Sequence, residues 1–355
     1  VKNATARDRL ESLLRAAPRR KVVPGEKIVV LSDLHMGSGG RNDDFLHNGP
    51  LCLDALEHYY WAKGYTLVLN GDIEELLRVT RPQILKAWKP VYDLFERFRA
   101  QDRLVWLQGN HEILPEELRT GRRPEWFDGE SLVLDFPEGR IFLFHGHQAG
   151  VANSGRYNGL IGWSLKTFAN ALGIGNRSIA HDSVKKFKLE KAVYEFSRAE
   201  GLVSVIGHTH RPLFESLSRR ESLGIRLERL CRDYSRADAQ KKLRIRDAVR
   251  EFRRELATQK GTRASLSTLV YGEEPVPCVF NSGCAVGKRG FTTLEIKNGR
   301  IALVFWSSPG RSPRVGLYNE YKPSRHFGTL AYRTILRRER LDYVFSRIEL
   351  LQEAP

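Results

Sequence analysis

No stretch of this chain is apolar for anything near the roughly 20 residues that a membrane-crossing helix needs. Apolar residues nevertheless make up 41% of it, enough for a full core. Cysteine is scarce. Cys52, Cys231, Cys278 and Cys284 show no C-x-x-C spacing and are too sparse for a disulfide framework, so reduced thiols are expected. Val1 to Lys21 is polar and basic and lacks the apolar centre of a secretory signal, and it reads as a short surface helix followed by a linker. These absences predict a protein with no transmembrane segment and a cytoplasmic home. Internal repeats and low-complexity tracts are also missing. Acidic residues are outnumbered, with 42 Asp and Glu against 58 Lys and Arg, which leaves a formal charge of +16. Such an excess attracts polyanions, whether nucleic acid, an anionic membrane surface or a phosphorylated small molecule. Much of it lies in the N-terminal arm and between Arg219 and Arg263.

What the chain does have is five short blocks in a fixed order: Asp33-Leu34-His35, Gly71-Asp72, Gly109-Asn110-His111, His145-Gly146-His147 and Gly207-His208-Thr209-His210. Each follows an apolar run: Ile28 to Leu31, Thr66 to Leu69, Leu104 to Leu107, Ile141 to Phe144 and Leu202 to Ile206. Such β-branched or aromatic runs, bounded by Gly, Asn and Asp, read as buried strands, so every block sits where a strand opens into a loop. Helical spacing over Leu51 to Ala62 and Gln83 to Ala100 fills the gaps between the first strands, which is the alternation of an α/β domain. Ligands in such sheets gather at the carboxyl ends of strands, where all five blocks lie.

Carboxylate, imidazole and amide oxygen converging there form a mixed N/O donor set for divalent cations. Asp33 and His35, two apart at a strand end, point the same way and can grip one ion. Asp72 is the natural bridge, because a carboxylate has two oxygens for two cations. Two ions about 3.5 to 4 Å apart need such a shared anion. Asn110 adds an amide oxygen, and His145, His208 and His210 complete two partly open shells. Loop capping explains one such Asp or Asn, but not seven ligand-type residues at five strand ends.

The ordered set Ser-Asp-Leu-His-Met-Gly, Gly-Asp-Ile-Glu-Glu, Gly-Asn-His-Glu, Phe-His-Gly-His and Gly-His-Thr-His, from Ser32 to His210, resembles the calcineurin-like metallophosphoesterase superfamily. Asn281-Ser282-Gly283 after the last block is similar too. The resemblance implies a four-layer α/β/β/α sandwich with helical insertions and two divalent metal ions, Mn2+ or Fe, with Zn2+ or Mg2+ as alternatives. It implies that Asp33, His35, Asp72 and His210 hold the first ion, and that Asp72, Asn110, His145 and His208 hold the second. By the same resemblance His111 reaches the phosphate as acid or charge stabiliser, and a metal-activated hydroxide attacks phosphorus in line. Within the superfamily the motifs are similar to the bacterial UDP-2,3-diacylglucosamine pyrophosphatases, which act on a nucleotide-sugar lipid at a membrane surface. That branch commonly has arginine where this chain has His111 and Asp where it has His147, and its members are shorter.

The resulting organisation is a basic arm over 1–24, a metallophosphoesterase domain over 25–310 and a basic tail over 311–355 with a helix from Leu330 to Leu351. The domain carries a cap-like apolar insertion at 151–183 and a charged helical insertion at 215–265. Arg41, Arg78 and Arg211 lie near the blocks and are candidate phosphate clamps, with solvent-facing arginine as the alternative. His147 is a candidate substrate contact or an ordinary loop histidine. Glu74 and Glu75 suit the orientation of a metal-bound histidine or the capping of a helix. The expected partner is a phosphorylated small molecule or lipid-linked substrate, with peripheral membrane contact as an option. Alternatives are a nuclease or nucleotide phosphodiesterase, a protein phosphatase, and a non-catalytic metal-binding scaffold; the complete ligand set favours an enzyme.

Overall fold

The computed structural model describes residues 4–114, 122–150, 183–218, 237–258, 276–287, 289–308, 324–325 and 331–352, with isolated positions from 117 to 120 and from 223 to 235. Two seven-stranded sheets organise them. One contains β2 (Ile28–Leu31), β3 (Thr66–Asn70), β4 (Leu104–Leu107), β11 (Phe291–Lys297), β12 (Arg300–Ser307), β13 (Ser324–Arg325) and β14 (Tyr332–Arg340), in the order β13-β14-β12-β11-β2-β3-β4. The other contains β1 (Arg19–Lys21), β5 (Ser131–Asp135), β6 (Arg140–Phe144), β7 (Val203–Ile206), β8 (Leu213–Phe214), β9 (Leu217–Ser218) and β10 (Val279–Asn281), in the order β1-β5-β6-β7-β10-β8-β9.

Strand periodicity explains the layering. In β2 every residue is buried, but Ile28 and Val30 join one core while Val29 and Leu31 join the other. Val68 of β3 likewise faces the first core, and Leu67 and Leu69 the second. A strand apolar on both faces has to be covered on both. The first core lies between the sheets and reaches α1 (Ala6–Ala16), α5 (Ser183–Glu200) and α7 (Leu341–Gln352) through Leu10, Val193 and Val344. The second is closed by α2 (Gly49–Ala55), a π-helical turn over Leu56–Trp61, α3 (Arg81–Ala87) and α4 (Lys89–Ala100), which supply Cys52, Tyr60, Ile84 and Phe95. The expected α/β class and the helix, sheet, sheet, helix layering are therefore present.

Several elements differ in detail from the sequence reading. The single helix expected over Gln83 to Ala100 is two, interrupted at Trp88, because Pro90 starts α4 and cannot continue an earlier helix. The helix expected at Leu51 to Ala62 changes to π winding at Leu56, and consecutive Tyr59 and Tyr60 are both buried there. The helix expected from Leu330 is wrong in its first half. Tyr332–Arg340 is a strand antiparallel to β12, held by buried Arg333, whose guanidinium meets Glu295 at 2.8 and 2.5 Å. The helix begins only at Leu341. The short helix expected in the N-terminal segment is α1, whose Leu10 is fully buried, and the stretch expected as a linker contains β1, which pairs in parallel with β5. The Lys297-Asn298-Gly299 hairpin turn forms as expected, with positive φ at Asn298 and Gly299.

The cap-like insertion expected at 151–183 lies outside the described residues apart from Ser183, the first residue of α5. In the charged insertion, the long helix α6 (Ala239–Thr258) buries Ile245, Ala248 and Phe252 and leaves Lys241, Arg244, Arg246, Arg250 and Arg253 exposed. None of the described helices is long and apolar enough to cross a membrane. The four cysteines are all free.

Candidate metal centre

Strands β2, β3 and β4 are parallel neighbours in one sheet, and β6 and β7 are parallel neighbours in the other. The residues that follow their carboxyl ends meet at one edge of the sandwich. Backbone geometry there is unusual. Asp33 (φ 55°), His35 (49°), Asp72 (53°), His208 (63°) and His210 (54°) all adopt left-handed conformations. Each costs on the order of 1 kcal/mol or more for a residue with a Cβ, and five of the seven candidate ligands carry it. Two glycines let the loops approach. A Cβ on Gly71 would lie 2.5 Å from His145 Nδ1, and one on Gly109 would lie 2.2 Å from the Asp72 backbone nitrogen.

Two donor groups result. Asp33, His35 and His210 present one ligand atom each within 4.8 Å of one another, as do Asp72, His145 and His208. Asp72 joins them, its Oδ2 lying 3.0 Å from His145 Nε2 and 3.9 Å from His35 Nε2. His210 Nε2 stands 3.3 Å from Asp33 Oδ1. His145 donates Nδ1–H to the Asn70 carbonyl oxygen at 2.9 Å, which leaves Nε2 as a lone pair directed into the site in the neutral ring. Asn110 Oδ1, His145 Nε2 and His208 Nε2 are buried without a hydrogen bond. Orphaned buried acceptors are costly, and three of them on residues of one donor set fit cations. Carboxylate, imidazole and amide oxygen suit divalent first-row metals.

Glu75 and Glu112 hold this arrangement. The Glu75 carboxylate accepts from His35 Nδ1 at 3.1 Å and from His111 Nδ1 at 2.9 Å, so both rings turn Nε2 the other way. Burial opposes its charge, but these two bonds and the ring charges pull its pKa well below the carboxylate range. Glu112 accepts four backbone N–H groups, from Gly109 (2.7 Å), Asp72 (3.1 Å), Ile73 (2.9 Å) and Glu74 (3.0 Å), tying the second and third loops together. Its burial and the charges of Asp72 and Glu74 push its pKa up, and the N–H donors act against that. Burial alone would lower the pKa of His111, yet the Asp72 charge and the Glu75 hydrogen bond raise it to about 9. For His208 burial prevails, with the His145 charge adding to it, and holds the pKa well below the usual imidazole value.

The model of the calcineurin-like phosphoesterase family matches residues 26–212, more than half of the chain and the span of all five blocks. The chain belongs to this family. Its members are metal-dependent phosphoesterases with two metal ions, and the clustered Asp and His residues of this phosphoesterase accord with that. No curated protein matches the chain. Among solved structures it is similar to a Vps29 single mutant from Entamoeba histolytica (13% identity, 81% of this chain and 94% of the other, TM-score 0.35). It is also similar to vacuolar protein sorting 29 from Cryptosporidium parvum (10%, 90% and 100%, TM-score 0.35). A dimetal phosphatase from Danio rerio is a third (12%, 79% and 96%, TM-score 0.31). These likenesses are too distant to bear on what the chain does.

In this phosphoesterase two of the three arginines expected as clamps are otherwise engaged. Arg78 meets Asp44 and Glu75. Arg211 is paired with Glu190, whose carboxylate also accepts the Thr209 hydroxyl at 2.8 Å. Arg41 is exposed and makes no ion pair among the described residues. His147 lies beside the donors, its ring 5.6 Å from that of His145 and 6.2 Å from that of His208. Of the adjacent pair of glutamates, Glu75 orients histidines, whereas Glu74 binds Arg81 and the Tyr92 hydroxyl. Sequence reasoning gave no role to Glu112, although it is the last residue of the third motif. It also passed over Asn70, whose side chain ties to the Phe144 and Val205 carbonyls across the two sheets.

Proposed function

We propose that this phosphoesterase hydrolyses a phosphoester or pyrophosphate bond of a phosphorylated small molecule, with the seven residues as ligands to two divalent cations. Asp33, His35, Asp72 and His210 would hold one and Asp72, Asn110, His145 and His208 the other. The observation that carries the reading is the position of Asp72, whose single carboxylate lies between the two histidine groups. Bound cations would supply charge for the phosphoryl oxygens and lower the pKa of an attacking water.

The chain's own residues do the rest. His111 Nδ1 is taken by Glu75, so its proton for the departing oxygen is held at Nε2, which lies 3.9 Å from Asp72 Oδ2. The Asp72 charge and the Glu75 hydrogen bond, which keep that ring protonated against the pull of burial, suit it to act as an acid. Glu75 fixes His35 and His111 with one carboxylate, and Glu112 keeps Asp72 and Asn110 in register through the backbone. The non-catalytic scaffold reading would need a missing donor, and the chain carries all seven donor residues. Metal analysis of the purified protein, followed by turnover of an aryl phosphate ester with added manganese, tests the proposal. Two equivalents of metal and manganese-dependent turnover are expected; a protein that binds no transition metal and leaves the ester intact overturns it.

A further inference from the structure

The first helix of the chain reaches the loop that carries His145. Both α1 and β1 precede residue 26, where the family match begins. Leu10, Leu13 and Leu14 seat α1 on the core between the sheets. Thr5 and Asp8 close its first turn in a reciprocal capping box. Next to fully buried Leu10, the Arg9 guanidinium donates to three carbonyl oxygens: that of Ala4 at 2.5 Å, that of Gln148 at 3.1 Å, and that of Gly150. Arg7 on the same helix is exposed and meets Glu11 instead, at 2.7 Å.

The two distant carbonyls belong to the turn that follows His145. Beyond Gly146 the chain folds on itself, with Ala149 N–H donating to the Gly146 carbonyl at 3.1 Å and Gly150 N–H to the His147 carbonyl at 2.9 Å. Gly146 N–H in turn meets Gln148 Oε1 at 3.0 Å. Among the described residues these bonds leave the Gln148 and Gly150 carbonyls without a donor inside the turn, and a carbonyl drawn away from water needs one. Arg9 supplies both. A guanidinium presents its donors in a fixed plane, so two bonds to one turn set its orientation as well as its distance. The turn carries His147, whose ring stands 5.6 Å from that of His145 and 6.2 Å from that of His208. The His145 carbonyl also accepts Gly207 N–H at 2.9 Å, one residue before His208.

Resting on the ligand roles proposed above for His145 and His208, we propose that Arg9 is a positioning residue. From a helix outside the family match it holds the fourth loop, and with it His145 and His147, in the geometry that receives the second cation. The segment before residue 26 is then part of the working site. Asp33, His35 and His210, grouped on the first cation, do not belong to this loop.

The test compares the full-length protein with Arg9→Met, which keeps a flexible stem and removes the donors, Arg9→Lys, which keeps the charge on a single donor group, and Arg7→Met, which alters the same helix elsewhere. In the metal-free proteins, hydrogen exchange of peptides covering residues 145–150 should quicken about tenfold or more in Arg9→Met, the scale of losing charge-assisted hydrogen bonds. Calorimetric titration with manganese should show one of two affinities falling about tenfold and the other unchanged. On an aryl phosphate ester kcat should fall while KM stays within about twofold. Arg9→Lys should recover part of each loss, and Arg7→Met should match the wild type. If Arg9→Met does not fold, Arg9→Lys carries the same readouts against Arg7→Met. A lower denaturant midpoint in Arg9→Met, with both affinities and the 145–150 exchange at wild-type values, overturns the assignment, because the residue then only packs a helix. Equal losses at both cations overturn it too. A wild type that binds two cations but leaves the ester intact, with one affinity still lost in Arg9→Met, overturns the hydrolytic reading and supports the assignment.

Discussion

The Nε2 atoms of His35 and His210 face each other at 3.1 Å. His35 gives its Nδ1 proton to Glu75, so two neutral rings would oppose lone pairs unless a cation or proton lies between them. Ligand nitrogens at about 2.1 Å from a metal and at right angles to each other are about 3 Å apart, which is the spacing found here. Replacing His210 by Ala should remove one metal equivalent and at least a hundredfold of turnover while the second metal stays. Metal analysis and steady-state rates on the same preparation check this. Retention of both ions would refute the grouping of His210 with Asp33 and His35.

Glu75→Gln keeps the volume of the side chain but removes the charge that two histidines share. Outer partners of metal-bound histidines typically matter by about tenfold to a hundredfold in affinity or activity. A loss of that size is expected in both, because His35 and His111 depend on the same carboxylate. Chelator competition and kcat measured in parallel separate the two effects.

Metal affinity should depend on pH with a definite sign. Burial lowers the pKa of His145, but the Asp72 and Asp33 charges outweigh it and raise it to about 9 in the metal-free protein. Its Nε2 must shed a proton before it can coordinate, so apparent affinity should rise with pH from about 6.5 to about 9, by up to about tenfold per unit, and then level off. The metal-free fold shows the opposite trend. A pKa raised on folding contributes stability that is complete below the unfolded value near 6.5 and disappears as pH passes about 9. Calorimetric titration with manganese at several pH values, and denaturant midpoints without metal, test the two signs.

Arg333 and Glu295 form a buried pair distant in sequence from the five blocks, with the Tyr60 hydroxyl donating to the same carboxylate at 3.0 Å. Glu295→Ala would strand a buried guanidinium, and breaking such a pair typically costs about 3–5 kcal/mol. Chemical denaturation should show that loss, while the metal content of the folded fraction stays at the wild-type level. A shift below about 1 kcal/mol would mean that β14 is held by its backbone ladder alone.

Local chemistry made the proposed metal edge legible in the sequence. Apolar runs ended by Gly, Asp and His mark strand ends by composition, and parallel strands deliver their carboxyl ends to one side, so the seven donors could be named together. The helices were less legible. Apolar spacing ran through Pro90 and hid the break at Trp88, and the Arg-rich stretch 332–340 carries a charge pattern that helix and strand tolerate equally.

The amino-acid order by itself determined the donor types, their sequence of loops and the α/β class, because each depends on residues within a few positions of one another. Only the tertiary structure decided that Glu112 gathers four N–H groups from two loops, that Arg78 and Arg211 already face carboxylates, and that β14 closes a sheet through Glu295. Those facts rest on partners far along the chain, and nothing local in the residues specifies which distant group will satisfy a buried charge. The geometry of packing chooses it, since a charge taken from water is stable only beside the partner that the fold brings to it.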